Sequence, residues 1–318
     1  MHMRAYLLRK AVGMVVTVLL VSAISFFVLQ VIPGDPAQVI LGTEASPEAL
    51  QDLRVQLGLD RPLRVRYWAW LKGLFRGNLG ESLRYQRPVA ELLWERLPVT
   101  FIVSFAAVTL ALTGALPMAL LAARHAGSPL DLLVVLASQL GLALPPFWIG
   151  LLLIILFSLK LGWLPPGGYI LPGDGAITAL GYLILPSLAL SLPLAAHLVW
   201  LLRQSILEVI ERDFIRTARA KGLPENLIYC RHALRNALIP TMTVLGIHMG
   251  TLLGGSIIIE QVFSLPGLGR LVLFAVYNRD WPLLQGGVVF MATAVVLVNF
   301  FTDLVYGFLD PRISVTDN

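Results

Sequence analysis

Six stretches of this chain contain no Asp, Glu, Lys or Arg: Ala11 to Gly34, Leu97 to Ala123, Leu132 to Leu159, Gly175 to Leu202, Asn236 to Ile259, and Trp281 to Thr302. Nothing else in the sequence constrains the fold as tightly. Each stretch is long enough to cross a hydrocarbon layer of about 30 Å as a helix, which takes about 20 apolar residues, and some leave room for tilt. The chain has 318 residues, of which 57% are hydrophobic and only 14% charged. An ordinary soluble domain carries about 25% charged residues. A water-soluble protein with mean hydropathy +0.78 would expose apolar surface it has no means to cover. The expected fold is therefore all-α and integral to a membrane, with six transmembrane helices.

Arg4, Arg9 and Lys10 precede the first stretch, as they would in a signal peptide. The apolar run, however, continues to Ile32, beyond the roughly 7–15 residues of a signal's apolar region. A Pro33-Gly34-Asp35-Pro36 turn follows, with no small-residue cleavage site beside it. An uncleaved span is expected.

The chemistry available to the chain is narrow. The single cysteine, Cys230, excludes an intramolecular disulfide and a multi-cysteine metal site. The five histidines (His2, His125, His197, His232, His248) lack paired ligand spacing, and no H-E-x-x-H motif occurs. There is no G-x-x-x-x-G-K-[ST], so the chain by itself should not hydrolyse ATP. No carboxylates, histidines or nucleophiles gather as a catalytic group would. Neither enzyme activity, nor a cofactor, nor a nucleic-acid partner is expected.

Six spans put both termini on one side. The segment from Gly34 to Pro98 is just past the length to which the positive-inside rule applies, and its charges are mixed, nine basic and eight acidic. Outside that segment, twelve Lys and Arg fall on the side of the termini and three on the other. Both termini, and the basic segment 204–235, are thus expected in the cytoplasm.

Residues 1–98 read as a first span plus an extracytoplasmic helical segment. Ser46-Pro47-Glu48 is a helix start: a capping Ser, Pro at the first helical position, then an acid. Gly58 suits its stop. A second helix from Pro62 carries Tyr67, Trp68 and Trp70, which fit either a helix lying at the membrane interface or a small cap packed on the spans. Pro117, Pro145, Pro146, Pro186 and Pro193 mark the later spans. They are either breaks lining a pathway or structural kinks. Glu260 and Asp303 end the fifth and sixth stretches and are expected near the headgroups. His197 and His248 lie deeper, and neutral histidines bonded between helices are the expected arrangement.

One segment breaks the apolar pattern. Asp213 to Pro240 reads "DFIRTARAKGLPENLIYCRHALRNALIP". Helix-forming sequence runs on from Arg203 through Lys221. Gly222 fits a left-handed helix end, and Pro224 fits the first position of a new helix. The result is helix, sharp turn, helix. An anchor for anionic lipid would account for the charges, but not for small residues followed by Gly-Leu-Pro. A partner protein fits better.

This segment resembles the EAA-type coupling loop of binding-protein-dependent ABC importers, in the form close to D-[YF]-I-R-T-A-R-A-K-G-L followed by H-A-L-R-N-A-L-x-P. That form belongs to oligopeptide, dipeptide and nickel permeases. The chain has Asp213 to Leu223, then His232 to Leu238 and Pro240, with Arg216-Thr217-Ala218 where the literal Glu-Ala-Ala would stand. Similar blocks occur elsewhere: "LQVIPGDPA" (Leu29–Ala37), "GNLGESLRYQRPVAELLWERLPVT" (Gly77–Thr100), "EQVFSLPGLGRL" (Glu260–Leu271), "RDWPLLQGG" (Arg279–Gly287) and "DLVYGFLDPRI" (Asp303–Ile313). The segment after the first span resembles that of the first of the family's two permease subunits.

The resemblance implies a type I importer permease fold, with the transmembrane domain at 99–309, a coupling loop at about 204–235 and a cytoplasmic tail at 310–318. It implies a bacterial or archaeal plasma membrane. It also implies a second homologous permease, two ATP-binding subunits, an extracytoplasmic solute-binding protein and surrounding membrane lipid. Arg216, Ala218, Arg219, Ala220, Lys221, Gly222 and Leu223 would carry the contact with the ATPase: Gly222 setting the turn, Ala218 and Ala220 allowing close approach, Arg219 and Lys221 facing partner or lipid charge. Di- or oligopeptides are the cargo it implies first, with nickel chelates and other small solutes as alternatives. Residues lining the substrate pathway are not identified. An ATP-independent secondary transporter would ordinarily show an inverted repeat and a deep charged site, and neither is visible.

Overall fold

The computed structural model describes residues 2–31, 36–42, 45–56, 58–169 and 176–309. Most of the turn expected at 33–36, the tail 310–318 and the Asp303 side chain lie outside the described residues. Among the described residues, fourteen α-helices run in the order α1 (His2–Val31), α2 (Pro36–Leu41), α3 (Pro47–Gln56), α4 (Leu63–Phe75), α5 (Val89–Arg124), α6 (Pro129–Ala143), α7 (Pro146–Leu153), α8 (Ala176–Ile210), α9 (Asp213–Ala220), α10 (Glu225–Leu227), α11 (Leu234–Gly255), α12 (Ile257–Val262), α13 (Leu268–Tyr277) and α14 (Trp281–Leu309). Two π-helical stretches, Ile154–Lys160 and Ile228–Ala233, prolong α7 and lead into α11. Among the described residues, β-pairing is limited to one isolated bridge, Glu81 to Pro88.

The centre is the pair α5 and α8. Ala107, Ala111, Ala115, Ala119, Ala122 and Ala123 are all 1% exposed or less. Their spacing of about four residues sets them on one face of α5. Leu194, Leu198 and Leu202 of α8 fill that face. Association between apolar helices in lipid depends on close van der Waals contact, so small residues at the seam are what let the backbones approach.

The prolines do two different things. Pro98 and Pro117 sit inside α5, Pro186 and Pro193 inside α8, and Pro240 inside α11, each within one continuous helix. The pair Pro145-Pro146 instead breaks the stretch 132–159, turning α6 from α7 and its π-helical extension by 102°. Leu144 (ψ 125) and Pro145 (ψ 140) are both extended. Each precedes a proline, whose ring disfavours the helical conformation there.

Among the described residues, four helices are individually long and apolar enough to cross a membrane: Leu8–Gln30, Val89–Arg124, Ala179–Ile210 and Trp281–Thr302. The bent pair gives a fifth crossing if it passes as one. The stretch expected as a span at 236–259 is helical through α11 and, after a turn at Ser256, through the start of α12. It packs on α14, α8 and α5. Length and composition thus support four or five crossings, and do not by themselves establish six.

The 36–98 segment is folded. Ser46 Oγ accepts a bond from the Ala49 amide at 3.2 Å, and Gly58 takes φ +65 just beyond α3. α4 packs its Tyr67 and Trp70 rings on Phe26 of α1, while Trp68 and Phe75 remain exposed. One face of α4 thus packs on α1 and the other is left exposed.

Candidate functional site

The basic segment forms a compact projection at the end of α5 and α8. The helix expected to run on from Arg203 does not continue. It stops at Ile210, and Arg212 is extended (φ −75, ψ 150) before α9 begins. No Pro or Gly causes this. The restart lets Ile215 and Ala218 face a cluster with Ala123, Ile206, Val209, Ile228 and Ala233, a burial that a straight helix projecting into water would forgo.

α9 ends in a Schellman turn. Gly222 takes φ +75, a left-handed conformation that glycine adopts without steric cost. The Leu223 amide donates to the Ala218 carbonyl at 3.3 Å, and the Gly222 amide to the Arg219 carbonyl at 2.9 Å. Two side-chain contacts then brace the turn. Arg219 binds Glu225 through Nε at 2.7 Å and Nη2 at 3.2 Å. Arg124, the last residue of α5, donates to Asn226 Oδ1. The Arg219 guanidinium holds the Glu225 carboxyl below its usual range.

The seven residues read from the sequence therefore divide. Arg216, Ala220 and Lys221 are exposed on the projection, and Gly222 makes its turn. Arg219 is engaged within the chain, by Glu225. Ala218, expected to leave room for a partner, is buried in the projection's own core, where Leu223 packs partly buried. Sequence reading passed over Arg124, Glu225 and Asn226. The Arg219–Glu225 separation of six residues, spanning a Gly-x-Pro turn, was the one available signal.

A second anchor stands beside it. Arg203 forks onto Asp131 with bonds of 2.5 and 2.7 Å, and the Gly127 amide donates to the same carboxylate at 2.9 Å. This ties the start of α6 to the end of α8. Burying a charge pair is tolerated where geometry and further bonds compensate, as they do here.

The opposite pole holds two buried acids. Glu260, expected near the headgroups, is only 1% exposed. It accepts from Thr100 Oγ1 at 2.6 Å, Ser256 Oγ at 3.1 Å and the Arg270 amide at 2.9 Å. Thr100 Oγ1 in turn accepts from the Leu268 amide at 2.9 Å. A Cβ on Gly267 would lie 2.2 Å from the Glu260 carboxyl carbon, so the Pro-Gly-Leu-Gly loop fits around this group only because position 267 is a glycine. Asp280 is also fully buried. It accepts from Ser82 Oγ at 2.5 Å and the Arg84 amide at 3.1 Å, binding the N-terminal segment to the start of α14. Between the poles, His197 of α8 and His248 of α11 share a hydrogen bond of 2.9 Å. Among the described residues no three of His, Cys, Asp and Glu gather as metal ligands would.

The chain is similar to known proteins over nearly its whole length. A family model described as the inner membrane component of binding-protein-dependent transport systems matches residues 115–315, and the model of that family's N-terminal region matches residues 3–106. A dipeptide transport system permease protein of Alkalihalophilus pseudofirmus is 37% identical, covering 98% of this chain and all of its own. An oligopeptide transport system permease protein of Bacillus subtilis is 36% identical with the same coverage. A glutathione transport system permease protein of Pectobacterium atrosepticum is 37% identical over 97% of this chain and 98% of its own. Among solved structures, an inward-facing MetNI methionine ABC transporter chain superposes with TM-score 0.56 at 18% identity, covering 69% of this chain and 96% of that one. That likeness concerns the fold alone.

Proposed function

Because the chain belongs to the family of binding-protein-dependent transport system inner membrane components, and so is a multi-pass membrane permease rather than an enzyme, we propose that it is one permease subunit of an ATP-driven importer of di- or oligopeptides. In this reading it forms the translocation pathway with a homologous second permease. Two ATP-binding subunits dock below, and a solute-binding protein delivers cargo on the far side. Residues 99–309 form the transmembrane domain, 204–235 the coupling loop, and both termini face the cytoplasm. The names of the relatives support peptide cargo.

One observation carries the coupling role. The basic projection is a glycine-set turn braced to α5 through Arg124 and packed on α8 through Ile206 and Val209. A push on the exposed Arg216, Ala220 and Lys221 would therefore move two long helices rather than bend a loop. ATP drives such a movement only by binding the two states with different affinity.

The test is purification from membranes in detergent, identification of the co-eluting proteins and assay of ATPase activity and uptake. A second permease with ATP-binding subunits is the expected result. Gly222→Val should insert normally but lose most transport, because a β-branched residue at φ +75 is strained. Purification of a lone chain that moves solute without ATP would overturn the importer reading. Normal uptake by Gly222→Val would overturn the coupling role alone.

A further inference from the structure

A cavity of about 980 Å³ lies between the end of α1, helices α3 and α4, the loop at 79–86 and the start of α14. Among the described residues, Arg54, Arg61 and Arg66 line it with one acid, Glu81, and Gln30 and Gln285 line the same space. A volume of this order accommodates a sizeable small molecule.

Two donors at this cavity lack what buried donors ordinarily have. Arg66 is partly buried and bonds the neutral Gln30 Oε1 at 3.1 Å. Burial pulls its pKa down, and among the described residues no carboxylate opposes that. Gln285 is 8% exposed, and its buried Nε2 has no hydrogen-bond partner among the described residues. A desolvated cation and an unpaired amide both cost free energy until an acceptor reaches them. The complementary group is an anion rich in acceptor oxygens.

The position of the cavity narrows the source of that anion. Phe26 and Leu29, in the last turns of the apolar span Leu8–Gln30, form one wall. The outer flank of that span exposes Leu20, Ile24 and Phe27. The facing helix, α4, exposes Trp68 and Phe75, as a helix at the membrane interface does. The cavity thus opens where a span leaves the hydrocarbon, at headgroup depth.

We propose that this cavity is a phospholipid site, in which Arg66 and Gln285 donate to headgroup phosphate oxygens, Arg61 closes the rim and the acyl chains run down the exposed flank of α1. The lipid completes the joint between α1 and the N-terminal segment.

The experiment uses the protein purified from membranes with whatever subunits accompany it, so its outcome is independent of the transport reading. After partial delipidation, phosphatidylglycerol is added as the probe. Bound lipid is counted by native mass spectrometry, and thermal stability is followed in parallel. Wild type should retain the lipid and melt at higher temperature with it. Arg66→Gln should weaken retention about tenfold or more, as loss of a hydrogen bond to a charged group does. Gln285→Leu removes an amide nitrogen the protein does not itself use. It should also lower retention, and it carries the test should Arg66→Gln fold poorly. Unchanged retention in both variants would overturn the proposal. Equal stabilisation by glycerol 3-phosphate would assign the cavity to a soluble phosphate, and displacement of the lipid by a dipeptide would assign it to a carboxylate. Either result would also overturn it.

Discussion

Single residues here act mostly by completing hydrogen-bond sets. Glu260 accepts on one side from two hydroxyls and on the other from the Arg270 amide. Hydroxyls can turn round and accept, but an amide N–H cannot. Glu260→Gln should therefore be mild, its oxygen kept on the amide side. Glu260→Ala leaves a buried donor and a cavity, and should cost about 2–4 kcal/mol, read as a lowered melting temperature in detergent. Equal loss in both variants would show that charge, not acceptor placement, matters. The Arg219–Glu225 pair is half-exposed, so its effect on stability is small. Its role is to fix the turn. Because the folded Glu225 pKa is depressed, the pair is complete above the ordinary glutamate range and is lost only as pH falls through and below it. Uptake measured between pH 6 and pH 8, a window set well above the usual Glu value of about 4.3, should show no step from this pair. Glu225→Gln should reproduce at neutral pH whatever loss acid produces.

Elements are held at their ends. The N-terminal segment reaches the transmembrane helices through Asp280, which joins Ser82 and Arg84 to α14. Asp280→Ala should leave those donors unpaired at about 1–3 kcal/mol and release the loop at 79–86. Limited proteolysis would then cut that loop faster than in wild type, and an unchanged rate would remove Asp280 as the tether. At the other pole, Asp131→Asn strips the charge from a buried fork with Arg203. It should destabilise by about 3 kcal/mol, and more than any change at the exposed Arg87–Glu95 pair.

Across the whole molecule, α5 and α8 link the two poles. At 36 and 35 residues each is about 50 Å long, with the basic projection at one end and, on α5, Thr100 about a third of the way along from the other. Their alanine seam decides whether they move together. Ala115→Leu overfills a fully buried site at about 1–3 kcal/mol. In the assembled protein it should lower uptake per ATP hydrolysed more than hydrolysis itself, as measured in proteoliposomes. A proportional fall in both would locate the defect in folding rather than in coupling.

The sequence by itself determined the solvent, the helical class and the place of the glycine turn at 222. Charge-free stretches specify a bilayer, and the glycine followed by proline at 222–224 specifies a helix end and a restart. These are local facts, set by composition and backbone sterics within a few residues. The tertiary structure decided the rest, because it depends on which distant groups meet. Glu260 reads in the sequence only as the end of a charge-free stretch, and its burial depends on Thr100, 160 residues away, which supplies a partner. Ala218 looks like a contact surface, yet it is core because α9 restarts to bury Ile215. Pro145-Pro146 and Pro186 look alike as interruptions, yet only the adjacent pair leaves two consecutive residues that precede a proline, and only there does the helix turn away. The alanine face of α5 was written in the sequence at a helical spacing, but only its fit against the leucines of α8 shows it to be the central seam.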